Sequence, residues 1–273
     1  MPDRSLSEVS GERVTLTLGP DGIAQARLNR ADKMNALDPA MFDALIAAGE
    51  RLRTLEGLRA VVLAGEGRGF CAGLDLGSFA AGGWDPARNL AERTHGNANR
   101  VQEAAMTWRK CPVPVIAAVH GVCFGGGLQI ASGADIRVVH PAARLAIMEM
   151  RWGLVPDMGG YALWRGLVRG DALRELVYTN REFSGAEALE LGLATFVETD
   201  PLARAQALAA EIAARNPEAV RAAKRLFDAM DDQGTDAILL AESRAQDAVI
   251  RRPNQVEAVM AGMEKRAANF ADV

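Results

Sequence analysis

Cysteine and histidine are scarce in this chain of 273 residues, which contains three of each. The cysteines, Cys71, Cys111 and Cys123, are odd in number and widely spaced, and the sequence contains neither a CxxC pair nor an HExxH arrangement. These absences argue against a disulfide framework and against a metal site. We therefore expect reduced thiols, a cytoplasmic location and no structural metal.

Long apolar runs and an excess of basic charge are also missing. No apolar stretch reaches the roughly 18 to 20 residues that a membrane-spanning helix needs, and the N-terminal segment MPDRSLSEVSGER has no apolar signal core. The formal net charge of −4 offers a nucleic acid no electrostatic footprint. We expect a soluble protein that is not exported and that binds neither membranes nor nucleic acid.

Hydrophobic and charged residues are present in ordinary proportions, 49% and 24% of the chain. Such a composition is typical of a globular protein with a packed core. The length allows one large domain, or one domain with an appendage.

The first two thirds of the chain alternate between strand and helix patterns. Residues 14–18 and 23–29 flank a Gly-Pro-Asp-Gly turn and predict a hairpin. Asp38 as N-cap and Pro39 at the first helical position predict a helix that extends to residue 53. Four short apolar segments predict further strands: 59–65, 113–121, 135–140 and 144–150. With a helix-compatible stretch over 86–110, this order predicts an α/β fold with a mostly parallel sheet.

The last third is dominated by helix signals. Ser184 with Glu187 forms a capping-box pattern, and Asp200-Pro201, Asn216-Pro217 and Pro253 each resemble the start of a helix. We therefore predict a core over 1–200 and a docked C-terminal helical region over 201–273.

Two glycine-rich loops follow predicted strands. One is GRGFCAGLDL (67–76), and the other contains Gly125, Gly126 and Gly127 before an apolar run. Glycines without a β-carbon let a ligand oxygen approach the unpaired N–H groups of a helix start. Two such donors suit one developing oxyanion, and losing one typically costs about 3 kcal/mol of transition-state stabilisation. The alternative is that the glycines serve packing in a tight turn. Neither GxGxxG, nor a P-loop, nor GxSxG is present.

Four segments, in this order and at this spacing, resemble the enoyl-CoA hydratase/isomerase or crotonase family: FCAGLDL (70–76), HGVCFGGGLQIASGADIRV (120–138), GLVPDMGG (153–160) and MEKRAANF (263–270). The resemblance implies a crotonase-like spiral of repeated strand-strand-helix units followed by a helical trimerisation region. It also implies a homotrimer or a dimer of trimers. The implied substrate is an acyl-CoA thioester, with coenzyme A as part of the substrate and no other cofactor.

The resemblance also assigns roles to individual residues. It implies that the N–H groups of Leu74 and Gly126 form an oxyanion hole for the thioester oxygen. The residues implied to lie along coenzyme A are Lys33, Ala72, Asp75 and Leu76, with Lys265 near the phosphates. Lys265 could equally be a solvated lysine.

The acidic residues decide between reactions. Typical hydratases of the family use two glutamates, and here the first position is Gln129 while the second matches Glu149. Gln129 can orient a water or donate a hydrogen bond, but it cannot transfer a proton near neutral pH. Asp157 follows Glu149 by eight residues and could bring a second carboxyl group to the same acyl cavity. This pair resembles that of dienoyl-CoA isomerases, although those enzymes usually keep an acid where Gln129 stands.

Several structural alternatives stay open at this point. Asp157 could serve a turn or cap a helix, and Gln129 could simply pack and hydrogen-bond locally. Phe79, Trp84 and Trp152 could line an acyl pocket or belong to the core.

The expected activity is that of an isomerase of fatty-acid β-oxidation type, with Glu149, Asp157 and Gln129 at the catalytic centre. It would shift a double bond in an enoyl- or dienoyl-CoA through an enolate. One alternative is an enoyl-CoA hydratase in which Glu149 acts and Gln129 orients water. An alternative from another class is a non-catalytic relative that binds acyl-CoA or RNA.

Overall fold

The structure is a computed structural model that describes residues 12–82, 89–230 and 232–273. Its strands are β1 (Val14–Leu18), β2 (Ile23–Leu28), β3 (Ala60–Gly65), β4 (Val115–Val119), β5 (Val122–Phe124), β6 (Ile136–Val139), β7 (Arg144–Ala146), β8 (Phe183–Ser184) and β9 (Phe196–Val197). Its α-helices are α1 (Pro39–Arg53), α2 (Leu76–Ala80), α3 (Arg100–Arg109), α4 (Gly126–Ser132), α5 (Gly160–Trp164), α6 (Gly170–Thr179), α7 (Gly185–Leu191), α8 (Pro201–Ala213), α9 (Pro217–Met230), α10 (Thr235–Val249) and α11 (Pro253–Glu264). Short 3-10 helices cover Ala31–Lys33 and Glu149–Trp152.

The main sheet has six strands in the order β1-β2-β3-β4-β6-β9. Only the β1–β2 hairpin is antiparallel, and the other neighbours run parallel. A second sheet has the order β5-β7-β8. The chain repeatedly passes from the main sheet to the second layer and then into a helix, as in β4, β5 and α4. This repetition confirms the predicted α/β spiral of strand-strand-helix units.

The first long helix forms as its sequence predicts. Asp38 caps α1, because its Oδ1 accepts a hydrogen bond of 2.8 Å from the Met41 N–H, and Pro39 occupies the first position. Apolar residues at helical spacing, among them Met41 and Leu45, are fully buried. The residue before the cap, Leu37, pairs with Leu74 across an isolated bridge. The start of α1 is thus fixed to the first glycine-rich loop.

The core occupies both faces of the main sheet. A large cluster, which includes Trp108 and Trp164, fills one face beneath the helices α1, α3 and α4. A smaller cluster on the other face joins Val62 and Ile116 to Ala205 and Ala209 of α8. The predicted division at residue 200 therefore falls at the start of a helix that packs on the sheet. The assignment of 201–273 as a separate region stays a prediction.

The helix starts predicted at Pro201, Pro217 and Pro253 are all present. In none of the helices that the structure describes is there a segment long and apolar enough to cross a bilayer.

Two predicted elements are shorter than their patterns. Within the described part of the helix-compatible stretch 86–110, residues 89–110, the α-helix is α3, which begins at a capping box between Asn99 and Gln102. The strand predicted over 144–150 ends at Ala146, because its partner β5 ends where Gly125 turns into α4. Glu149 therefore begins a 3-10 helix instead of ending a strand.

Replacing the α1 cap tests this part of the fold. In Asp38→Ala the Met41 N–H loses its acceptor, and the Arg13 guanidinium loses a carboxylate oxygen 2.8 Å away. We expect the free energy of unfolding to fall by about 1 to 2 kcal/mol, measured by urea denaturation at constant protein concentration.

The matched control is Glu50→Ala, on an exposed position of the same helix. It should change the unfolding free energy by less than about 0.5 kcal/mol. Equal losses in the two variants would contradict the capping role.

Candidate active site

One cavity of about 580 Å³ brings together residues from three distant segments. It is lined by Leu74 from the first glycine-rich loop, by Gly126 at the start of α4, and by Glu149 and Asp157. Its volume lies in the range of small-molecule sites. Four residues that the sequence singles out therefore share one site.

The backbone around Leu74 forms hydrogen bonds to Leu37 on one side and leaves the Leu74 N–H unpaired, within the described chain, on the other. Leu37 donates a hydrogen bond of 2.8 Å to the Gly73 carbonyl and accepts one of 3.0 Å from the Asp75 N–H. Because alternate residues of an extended chain point their N–H groups to opposite sides, the Leu74 N–H points away from Leu37. It has no acceptor among the residues that the structure describes.

Gly126 supplies the second amide. It is the first residue of α4, and the N–H groups of the first helical turn have no partner within the helix. A β-carbon on Gly73 would lie 2.6 Å from the Phe124 carbonyl oxygen and 3.7 Å from the Gly126 nitrogen. The two donor loops are therefore in direct contact beside the cavity.

Each of the three consecutive glycines stands where a side chain would collide or crowd. A β-carbon on Gly125 would lie 3.3 Å from Glu149 Oε1, one on Gly126 would lie 2.5 Å from Met158 Sδ, and one on Gly127 would lie 2.5 Å from the Cys71 carbonyl oxygen. Gly125 also has a φ of 50°. These glycines therefore allow tight packing, and the same packing places the Gly126 N–H at the cavity.

The two carboxylate oxygens of Glu149 differ in their contacts. Its Oε1 accepts a hydrogen bond of 2.6 Å from Gln129 Nε2, whereas its Oε2 is buried and has no partner in the described part of the chain. Burial raises the pKa of Glu149, and the charge of Asp157 raises this pKa further, while the bond from Gln129 opposes the increase. A carboxyl group in this state suits proton transfer.

Asp157 faces the same cavity from the neighbouring turn. Burial raises the pKa of its carboxyl group. The alternative role as a helix cap has no support, because the N-cap of α5 is Gly159 and this helix has no side-chain cap. The cavity thus holds two carboxyl groups that both favour protonation more than a solvated acid does.

Gln129 lies behind Glu149 and does not line the cavity. Its side chain is almost fully buried, and its Oε1 accepts hydrogen bonds of 2.9 Å from both the Met158 and the Gly160 N–H groups. The structure therefore places Gln129 in contact with Glu149, and away from the place where it would orient a water on the substrate.

A family model described as enoyl-CoA hydratase/isomerase matches residues 19–273. The chain belongs to this family. The match confirms the resemblance stated from the four sequence segments, and it makes the cavity the active-site candidate of a family enzyme.

Relatives and solved structures of the family cover nearly the whole chain. The mitochondrial Δ3,5-Δ2,4-dienoyl-CoA isomerase of Mus musculus is 30% identical over 96% of this chain and 82% of its own length. An enoyl-CoA hydratase of Mycobacterium tuberculosis is 33% identical over 94% of this chain and 98% of its own. The crystal structure of the enoyl-CoA hydratase from Mycobacterium smegmatis has a TM-score of 0.84 at 30% identity and covers 95% of this chain and 99% of that one. The similar proteins thus include enzymes named for both reactions.

The residues that the family resemblance places along coenzyme A divide into two groups. Ala72 and Leu76 line the cavity. Lys33 is exposed beside Met34, whose carbonyl accepts a hydrogen bond from the Ala72 N–H. Lys265 ends α11 with an exposed side chain and is not among the residues that line the cavity.

Asp75 serves the loop itself. Its carboxylate accepts a hydrogen bond of 3.1 Å from the Ser78 N–H and lies 2.7 Å from the Arg30 guanidinium. The Ser78 bond and the Arg30 contact lower the pKa of Asp75. The side chain is therefore committed to shaping the loop that carries Leu74, and it does not line the cavity.

Asn35 is a site-building residue that the sequence patterns do not reveal. It is fully buried, and its Nδ2 donates to the carbonyls of Glu66, Gly69 and Phe70 at distances of 2.9 to 3.1 Å. Its φ of 58° is a conformation that asparagine tolerates better than most residues. Asn35 thus anchors the first glycine-rich loop from below.

Two of the three aromatic residues proposed for the acyl pocket, Phe79 and Trp152, line the cavity. Trp84 lies outside the described residues.

The raised pKa of Asp157 predicts how stability depends on pH. The folded protein holds the Asp157 proton more tightly than the unfolded chain does, so ionising this carboxyl group costs stability as the pH rises above about 3.9, the ordinary aspartate value. Asp157→Asn removes that cost. We expect a higher Tm than that of the wild type at pH 8, and a difference that disappears near pH 4.

Asp171→Asn is the matched control. Asp171 is fully exposed, and a hydrogen bond from Arg169 lowers the pKa of its carboxyl group, so its replacement should give no gain in Tm. The interpretation of Asp157 is wrong if Asp157→Asn melts no higher than the wild type at pH 8.

Proposed function

We propose that this enzyme is an isomerase that shifts a double bond in an enoyl- or dienoyl-CoA of fatty-acid β-oxidation type. The observation that carries the proposal is the pair of half-buried carboxyl groups, Glu149 and Asp157, facing one cavity beside two backbone amides. Burial raises the pKa of both carboxyl groups, so each holds a proton to higher pH than a solvated acid does, which suits a group that gives and takes protons.

The first step is removal of a proton from the carbon next to the thioester carbonyl. The Glu149 carboxylate takes this proton, and the electron pair of the broken C–H bond moves into the carbonyl, which becomes an enolate. The Leu74 and Gly126 N–H groups hold the developing negative charge on oxygen. Both N–H groups suit this role because the Leu74 N–H has no acceptor in the described part of the chain and the Gly126 N–H has no partner within its helix.

The second step returns a proton at the far end of the conjugated system. Glu149 or Asp157 delivers it to the γ-carbon, or two carbons further on when the substrate is a diene. The electrons of the enolate flow back, so the product is conjugated with the thioester. One proton leaves and one returns, and the balance requires neither water, nor an oxidant, nor a cofactor other than the coenzyme A of the substrate.

The walls of the cavity indicate the acyl group that it accepts. Apolar side chains such as Phe42, Phe79 and Val101 dominate the lining. The charged residues in it, besides Glu149 and Asp157, are Arg144, Arg151 and Glu182. An unbranched or branched hydrocarbon chain fits this surface better than a polar one. In this proposal coenzyme A lies along Lys33, Ala72 and Leu76, and Lys265 approaches its phosphates.

The position of Gln129 favours isomerisation over hydration. The hydratase alternative requires the Gln129 amide to face the cavity and orient the attacking water. Gln129 instead has its oxygen bound to two backbone N–H groups and its nitrogen directed at Glu149. A non-catalytic role is disfavoured because a buried carboxylate oxygen without a partner is costly unless a ligand uses it.

A panel of CoA thioesters tests the reaction. We expect 3-enoyl- and 3,5-dienoyl-CoA to be converted to conjugated products, followed by the rise in absorbance of the conjugated thioester. Glu149→Gln should lower kcat by about 10² to 10⁴-fold, because the amide cannot accept the proton. Glu198→Gln, on an exposed residue after β9, is the matched control and should keep full activity.

Two results would overturn this proposal. Hydration of crotonyl-CoA at ordinary hydratase rates, seen as loss of thioester absorbance, would assign the enzyme to the lyases. Full activity of Glu149→Gln on every thioester would remove Glu149 from the chemistry.

The C-terminal helices support assembly as a homotrimer or a dimer of trimers. They expose large apolar side chains that a monomer would leave in water. These are Phe227, Met230, Leu239, Leu240, Val259 and Met263.

Light scattering coupled to size exclusion measures the assembly. We expect three or six chain masses, and we expect Phe227→Asp to shift the protein to smaller species because the charge cannot be buried. A wild-type protein that elutes with the mass of one chain contradicts the proposed assembly.

A further inference from the structure

The buried amide of Gln129 has an orientation that its neighbours fix. Two backbone N–H groups, those of Met158 and Gly160, point at one end of the amide at 2.9 Å, and only an oxygen can accept them. The nitrogen must therefore face Glu149 Oε1, 2.6 Å away, and donate to it.

We infer that Gln129 is a positioning residue that fixes the Glu149 carboxylate through its Oε1 and ties it to the turn carrying Asp157. This inference rests on the proposed role of Glu149 as the acid and base of the reaction. It gives Gln129 no contact with the substrate.

An amide satisfies this place without an additional proton. A carboxylate could accept from Met158 and Gly160, but it would put a negatively charged oxygen against Glu149 Oε1 unless the two groups shared a proton. An apolar side chain would leave two buried N–H groups and a carboxylate oxygen without partners. Glutamine provides the acceptor at one end and the donor at the other.

The hydrogen bond also favours the charged form of Glu149. Burial and the Asp157 charge raise the pKa of Glu149, while the backbone N–H of Glu149 and the donation from Gln129 oppose the increase. The other charged residues around the cavity are Arg144, Arg151 and Glu182, and Arg144 forms a two-point ion pair with Glu182. Without the Gln129 donor, Glu149 would keep its proton to higher pH and would act less often as a base.

The Gln129 amide also links Glu149 to the turn that carries Asp157. Met158 directly follows Asp157, and the bonds from Met158 and Gly160 hold this turn against α4. Gln129 thus contacts Glu149 through its nitrogen and the Asp157 turn through its oxygen, so one side chain sets the separation of the two carboxyl groups.

Two variants with opposite chemistry test the inference. Gln129→Glu keeps the acceptor and adds a charge, while Gln129→Met keeps the shape and removes both polar ends. The matched control is Gln206→Glu, on an exposed face of α8. Each protein is labelled with ¹³C at the glutamate carboxyl carbons and titrated by NMR, and the Glu149 signal is identified by its loss in Glu149→Gln.

We expect the Glu149 midpoint to rise by about one pH unit or more in Gln129→Glu, where the two carboxyl groups titrate as a pair. It should rise by a smaller amount in Gln129→Met and stay unchanged in Gln206→Glu. The acid limb of kcat/KM should move in the same direction and order. Gln129→Met should lower the Tm more than Gln129→Glu does, because it leaves the Met158 and Gly160 N–H groups unpaired.

The inference is wrong if both Gln129 variants melt earlier while the Glu149 midpoint stays at the wild-type pH. It is also wrong if neither variant folds, because the residue would then be structural. The titration needs no turnover, so it separates this inference from the proposed isomerase activity. An enzyme that hydrates crotonyl-CoA but shows the shifted midpoints would reject the isomerase assignment and retain the positioning role.

Discussion

The site depends on a backbone-to-backbone contact between the loop after β3 and the turn after β5. The Cys71 carbonyl accepts a hydrogen bond of 3.0 Å from the Phe124 N–H, and its oxygen would lie only 2.5 Å from a β-carbon on Gly127. In the opposite direction, the Phe124 carbonyl oxygen would lie only 2.6 Å from a β-carbon on Gly73. Side chains at these positions would push the loops apart, and the two amides would no longer border one cavity. The glycines therefore determine the distance between the donors as well as their accessibility.

A single short helix then orients both halves of the chemistry. Every residue of α4 is buried, so the helix has little freedom to tilt. Gly126 and Gln129 lie three residues apart on it, which places them on one face. The helix start presents the Gly126 amide at the cavity, and one turn later the Gln129 side chain holds Glu149. Ser132 continues this pattern, since its hydroxyl accepts a hydrogen bond from the Trp164 indole and ties α4 to α5.

The sequence predicts the parts of this site that follow strands. Leu74, Gly126 and Glu149 each come shortly after an apolar run, and in a parallel sheet the carboxyl ends of strands meet at one edge. The partners of Gln129 are not predictable in this way, because they are backbone N–H groups 29 and 31 residues away whose direction depends on the turn around Gly159. Asn35 gives no pattern either, since it holds three carbonyls through a side chain common in any turn. The end of β7 depends on where its neighbour β5 ends, and the local sequence of β7 cannot predict that.

The division between backbone and side chains explains how one fold can serve two reactions. The donors at Leu74 and Gly126 are main-chain groups, so substitution of other residues leaves them in place as long as the glycines remain. The groups at 129, 149 and 157 are side chains, and each can change without altering the spiral. In the proposed reaction, stabilising an enolate oxygen is therefore a property of the fold, whereas the choice between moving a proton and adding water depends on which acids face the carbon atoms. In this chain an amide stands in the place of one acid and binds the other, so the proposed proton chemistry rests on Glu149 and Asp157.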